Sequence, residues 1–265
     1  MEYWLRAHLK GDRFLGNIDA LARIRWDRGA GGVQRIYTLC NPLDDDMLLC
    51  GEVSPEPREF VAIGVLSGES LYDFGDYNTL ARKSPTAVLK TVGFFPDLDA
   101  CGTRVAEVCR RLQGAARHRY ATLTNSLLDS AGYPILRFPT LLRDITDVSM
   151  KLESGAPKHD LNLFAFMRLG EGESKRDWYD VALPKGEHGE TVDTFDNGKW
   201  TFTPLPIYDE HFKLIMPCEY ERCLKGSLVK VHITAVCQHD CGTNEQRFFF
   251  DVQSLTVMKR NVVTD

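Results

Sequence analysis

The residues best suited to chemistry in this 265-residue chain are its eight cysteines, at 40, 50, 101, 109, 218, 223, 237 and 241, together with two of its histidines. His188-Gly-Glu190 precedes Pro217-Cys218-x4-Cys223, and Cys237-Gln-His239-Asp-Cys241 follows. Thiolates and imidazoles at close spacing hold zinc, and a carboxylate beside a histidine ligand can move protons for a metal-activated water. The group Cys218, Cys223, Cys237 and Cys241 is a candidate structural site, with four cysteines or with three and a histidine. The plainer reading is preferred. Eight cysteines are too sparse for a disulfide scaffold in a chain this long, so they read as reduced thiols, mostly small core residues. Cys237-x3-Cys241 then marks the tip of a long hairpin, and no metal or cofactor is expected. Other motifs fall away. DRGAGG (27–32) lacks the Gly-Lys-Ser/Thr of a phosphate loop, and GVLSG (64–68) misses the serine-hydrolase spacing. Asp44, Asp45 and Asp46 read as a solvated acidic loop.

The His188-Gly-Glu190 … Pro217-Cys218 … Cys223 order is similar to the signature of zinc-dependent nucleotide deaminases. The resemblance implies His188, Cys218 and Cys223 as ligands and Glu190 as the acid/base. The surroundings depart from that family. His-x-Glu should open a helix, yet TVDTFDNGKWTFTPLP follows, with an Asn-Gly turn, β-branched residues and two prolines. Deamination is therefore kept as the enzymatic alternative to a binding protein.

The elements that would position such residues are mostly strands. Residues 17–40 read as strand, Gly-rich turn and strand; 59–65 and 87–95 read as further strands. Residues 97–130 change period: Val105, Val108, Cys109 and Leu112 recur at helical spacing, with Asp99 or Thr103 as a cap. Residues 140–152 predict a second helix. After a loop at 154–160, strands return: a hairpin over 160–183, an Asn197-Gly198 turn, and one helical turn within 207–224. In the last hairpin Val229, Val231, Ile233 and Ala235 alternate with Lys230, His232 and Thr234, and Phe248, Phe250 and Val252 alternate with Asp251 and Gln253. After Ser254 the parity shifts to Leu255 and Val257, which predicts a bulge or sharp bend. Residues 20–42 also lay against 163–184 as a possible internal repeat.

Three strands, a short helical connection and two strands, the last of them bent, is the order of an OB-fold. The segment KGSLVKVHITAV…RFFFDVQSLTVMKR resembles the closing strands of OB-fold single-stranded nucleic-acid-binding proteins, with Gly226 opening the fourth strand. The resemblance covers 160–260 and implies binding on the second and third strands and adjoining loops. Trp178, Tyr179, Trp200 and Phe202 are then the stacking residues, of which 178 and 179 point to opposite faces. Arg168, Lys175, Arg176 and Lys199 would meet phosphates, and His239, Asn244 and Arg247 lie on the loop between strands four and five. The fold expected is α+β, mainly β, with two small OB-like barrels joined by a helical segment. The divisions are 1–96, 97–155 and 156–265.

Charge tempers this reading. The chain carries a net −5, and residues 156–265 alone carry −4. That argues against non-specific polyanion binding by the whole molecule, though not against a local patch. The densest basic cluster, Arg110, Arg111, Arg117, His118 and Arg119, lies on the predicted helix and also reads as a solvated face. No stretch approaches the roughly 20 apolar residues that cross a bilayer. The opening MEYWLRAHLKGDR has charges where a signal peptide needs apolar residues. The expectation is an intracellular protein, nuclear or cytoplasmic, that binds single-stranded DNA or RNA. A β-rich scaffold that binds a protein partner or a second copy of itself is the non-nucleic-acid alternative.

Overall fold

The computed structural model describes residues 2–23, 25–28, 34–41, 57–67, 84–90, 96–139, 142–144, 200–202, 205–215 and 219–260. Helix α1 (Glu2–Leu9) and a 3-10 turn (Ile18–Arg23) lead into β1 (Arg25–Arg28), β2 (Gln34–Cys40), β3 (Glu59–Ser67) and β4 (Thr86–Lys90). Helix α2 (Pro96–Ala116) precedes β5 (Thr122–Asn125), β6 (Ile135–Arg137) and β7 (Leu142–Asp144). Then follow β8 (Trp200–Phe202), β9 (Ile207–Tyr208), helix α3 (Tyr220–Leu224), β10 (Leu228–Asp240) and β11 (Glu245–Lys259). The fold is α+β and mainly β, as the residue patterns predict.

The long hairpin β10–β11 organises it. Val229, Val231, Ile233, Ala235 and Cys237 are fully buried on one face of β10, and Phe248 and Phe250 meet them from β11. Each buried Val, Ile or Phe among them contributes about 1.5–3 kcal/mol, and the smaller Ala235 and Cys237 contribute less. The parity shift has the predicted cause. His232 faces Ser254 but Ile233 faces Val252, so Gln253 is an extra residue on β11. The bulge swaps the inward set from Val252 to Leu255 and Val257, all buried. Gly226, at φ +66°, turns the chain from α3 into β10, a left-handed backbone that glycine adopts without cost.

The hairpin's neighbours come from upstream. Along one edge β10 pairs antiparallel with β3 and then β2. Along the other edge of the hairpin, β11 pairs in parallel with β9, β6 and β5. Strand β4 bridges β3 and β6. The pairings therefore close a circuit: β3, β4, β6, β11, β10 and back to β3. Five strands cannot alternate direction all the way round, so one adjacent pair must be parallel; it is β6 with β11. At Gly64 the strands come so close that an added Cβ would stand 2.7 Å from the Lys90 carbonyl oxygen. Strands from 1–96 and from 156–265 thus share one sheet.

The segment 97–155, expected as a helical connection, leaves its helix at Ala116 and also carries β5, β6 and β7, and three more local expectations change. Residues 18–23 form a 3-10 turn rather than a strand, because the Asn17 side chain accepts the Asp19 N–H and Ile18 and Leu21 pack on the core at helical spacing. Helix α2 begins at Pro96, ahead of Asp99 and Thr103, since proline suits a helix's first turn. Residues 142–144, expected in a helix, form a strand paired with 200–202, a long-range partnership that overrides local propensity.

Candidate nucleic-acid interface

Helix α2 packs its Val105, Val108, Cys109 and Leu112 stripe into the same core as the hairpin. Trp26 fixes its last turns: Nε1–H donates to the Leu112 carbonyl at 3.1 Å, and the ring meets Phe248 edge-on at 6.1 Å. The helix therefore ends beside the tip of β10–β11. A buried glutamine joins the two. Gln246 Nε2–H donates to the Ala116 carbonyl at 2.7 Å and touches Cys237 Sγ at 3.1 Å, while its Oε1 accepts the His118 N–H at 3.0 Å. One side chain so satisfies both a donor and an acceptor at the helix end.

The tip itself is tightly bonded. The Asp240 carboxylate accepts N–H groups of Gly242 and Thr243, at 2.8 and 3.2 Å. The Thr243 and Gly242 donors hold that carboxyl below its ordinary range. Asn244 sits in the left-handed region at φ +56°. Its Nδ2–H donates to the Tyr120 carbonyl at 2.7 Å, and its own carbonyl accepts the Thr122 N–H at 3.0 Å. His239 stacks on His118, with ring centres 4.9 Å apart and planes 25° from parallel, and its Nε2 lies 3.2 Å from Asn244 Oδ1. The His239 Nδ1 has no hydrogen-bond partner among the described residues.

This scaffold displays residues 117–120 to solvent. Arg117, His118 and Arg119 are exposed, and Tyr120 is 76% exposed. The Arg119 guanidinium lies 5.6 Å from the Tyr120 ring centre. Neither arginine forms an ion pair among the described residues. Beside them Arg247 reaches Thr124 Oγ1 at 3.2 Å and the Glu245 carboxylate at 2.8 Å. Thr122, Leu123 and Thr124 are also exposed on β5, which ends the main sheet. By contrast Arg137 on β6 is occupied: Asp251 holds it at 2.6 and 2.8 Å, and it stacks on Phe249 at 3.7 Å.

The residues expected from sequence divide sharply. Arg247 is exposed at the tip, and Asn244 shapes the turn. His239 is only 4% exposed, so it positions the tip instead of meeting a ligand. It continues the inward parity of Val229 to Cys237. Trp200 and Phe202 lie in β8, paired with β7, and their side chains fall outside the described residues. Arg168, Lys175, Arg176, Trp178, Tyr179 and Lys199 also lie outside them, as does the second limb of the possible repeat. Tyr120 was not singled out; its signal is the RHRY run (117–120), an aromatic ending the basic cluster.

The metal readings find no support at the tip. Among the described residues no three His, Cys, Asp or Glu side chains gather as ligands. Cys237 is buried and its thiol is pushed up to about 11 by that burial; Cys223, in α3, is also raised by burial. Cys241 is exposed. His188, Glu190 and Cys218 lie outside the described residues. On another face His232 Nδ1 meets Glu59 Oε1 at 2.8 Å, and Arg13 shares that oxygen at 3.2 Å. No hydroxyl bonds His232 among the described residues, so the pair reads as a structural link between β3 and β10.

No helix among the described residues is long and apolar enough to cross a membrane. No protein-family model, curated protein or solved structure matches the chain.

Proposed function

We propose that the protein binds single-stranded nucleic acid on a barrel of the OB type, with the β10–β11 tip and residues 117–124 as the contact surface. The five-strand circuit supports the barrel reading. Strands β3, β4 and β6, the short helix α3, then β10 and the bulged β11 occur in the order of that fold. In this reading one barrel draws its first three strands from residues 59–137, and the tip is the loop between its last two strands. The observation that carries the function is the tip surface: Arg117, Arg119 and Arg247 around a 76% exposed Tyr120, whose carbonyl is held by the Asn244 side chain. Arginines meet phosphates and an exposed ring stacks on a base. The patch is local, which reconciles it with a net charge of −5.

Titration of labelled single-stranded oligonucleotides between about 50 and 200 mM salt tests this. Arg117 and Arg119, which have no ion pair among the described residues, give a log–log slope of about −1.4, to which Arg247 adds about −0.7 where a phosphate displaces Glu245. Arg117→Ala makes it shallower by about 0.7. Tyr120→Ala weakens binding by about 1–3 kcal/mol. Binding that is absent, or indifferent to salt, refutes the reading. One observation favours the protein-partner alternative: Phe212 is 77% exposed and held at φ +61° on a turn bonded by Asp209. A phenylalanine fixed in solvent at that φ suits a protein contact better than a phosphate groove.

A further inference from the structure

A cleft of about 290 Å³ opens between α2 and the turn that precedes β6. Ile63 and Leu89 line its floor, Val105 and Ala106 one wall, and Tyr133 is its lone aromatic among the described residues. The opposite wall is held in place. Asp129 Oδ1 accepts the N–H groups of Ala131 and Tyr133 at 2.9 and 2.8 Å, and the Leu89 N–H donates to the Pro134 carbonyl at 3.0 Å. Gly132 rounds the turn at φ +89°.

Arg110 and Thr103 also line the cleft, and both are exposed. Arg110 lies 3.7 Å from Glu107, whose other oxygen Arg111 holds at 2.7 Å. Two guanidinium groups share one carboxylate, so a cation remains on this side of the mouth, while Asp129 in the opposite wall has one oxygen bound by backbone N–H groups. Thr103 and Arg110 lie seven residues apart, which keeps them on nearly one face of α2, and Arg117 follows the helix's last residue, Ala116. Arg110 stands about 9 Å along that axis from Ala116, where the helix ends. The stripe joins the cleft to the Arg117–Tyr120 surface.

We infer that this cleft receives one unstacked base of a bound single strand, whose backbone follows the Arg110–Arg117 stripe to the tip. The inference rests on the proposed nucleic-acid function and adds a second, separate contact to it. The volume is at the lower edge of the roughly 300–1,000 Å³ of pockets for larger ligands, so it suits a single ring system. An apolar floor and a tyrosine accept the two faces of a base, and a cation at the rim meets the phosphate beside it.

The test uses the full chain and oligonucleotides of about 16 nucleotides. Thr103→Trp covers the mouth from an exposed helix position, and Tyr133→Ala removes the aromatic residue. Each is expected to lower affinity by roughly fivefold to a hundredfold, the range of base–aromatic stacking, with melting of Thr103→Trp unchanged. A photoreactive thymine analogue in the strand should crosslink wild-type protein within 129–134 or 102–110. If wild type binds but both variants bind equally well and crosslinks map elsewhere, the cleft is not a base site while the tip function stands. If wild type binds no oligonucleotide at low salt, both readings fail together. Displacement of the strand by poly-glutamate as readily as by unlabelled oligonucleotide overturns the base assignment in favour of an acidic peptide. A free mononucleotide that protects the cleft while Thr103→Trp leaves strand binding intact overturns it in favour of a small nucleotide.

Discussion

Replacing Gln246 by leucine tests whether the hairpin and α2 form one unit. The side chain is 2% exposed and makes three polar contacts, to the Ala116 carbonyl, the His118 N–H and Cys237 Sγ. Leucine has comparable bulk and none of the polar atoms. Each backbone hydrogen bond contributes about 1 kcal/mol net, and a buried group left unpaired costs a further 1–3 kcal/mol. His118 is exposed, so water can replace its partner; Ala116 is half-buried and recovers less. Relief from burying a polar amide offsets part of the loss. The sum is a destabilisation of about 2–3 kcal/mol. For a 265-residue chain Tm should fall by about 5–10 °C. Urea unfolding followed by tryptophan fluorescence and far-ultraviolet circular dichroism measures it. Gln246→Glu should cost more at neutral pH, because it buries a carboxylate against the Ala116 carbonyl. A loss below about 0.5 kcal/mol for leucine, or a glutamate variant more stable than the leucine one, refutes the clamp.

Gly64→Ala should destabilise by about 1–3 kcal/mol in the same assay, because its Cβ would stand 2.7 Å from the Lys90 carbonyl oxygen and 2.8 Å from Leu89 Cγ; a neutral effect would mean that β3 and β4 separate freely. The Asp209 and Asp240 carboxyls are held below their ordinary range, first by the Lys213 and Thr243 backbone N–H groups respectively. Their contribution is therefore complete above about pH 4 and is lost as pH falls through the lowered values. Unfolding curves from pH 7 to 3 should steepen below pH 4 for wild type and less for Asp209→Asn/Asp240→Asn; parallel curves count against it. Alkylation at pH 7.5 with peptide mapping should modify Cys241 before Cys109, Cys223 or Cys237, whose thiols burial raises; equal rates in native protein would contradict their placement.

Much of the hairpin was legible along the chain. Alternation is a local property, so Val229 to Ala235 and Phe248 to Val252 reveal their strands and inward face without any partner. The parity shift at Ser254 likewise announces the bulge, because one extra residue must exchange the faces of everything beyond it. Extending that parity to 237 and 239 also places Cys237 and His239 inside, which tells against a zinc hook and against His239 as a ligand contact. The helical stripe of α2 was equally local.

What only the tertiary structure decided is which strands stand beside that hairpin, and so which residues share its tip. Local periodicity marks a strand edge as available but does not say which distant strand occupies it. The neighbours proved to be Gln34–Cys40 and Glu59–Ser67 beside β10 and Thr122–Asn125, Ile135–Arg137 and Ile207–Tyr208 beside β11, while Trp200–Phe202, expected among them, pairs with Leu142–Asp144. The packing of α2 on the same core then carries Arg117 to Tyr120 to the turn at 241–244, more than a hundred residues away in sequence. Gln246 holds them there, because the groups left unpaired at the helix end find their partners on β11.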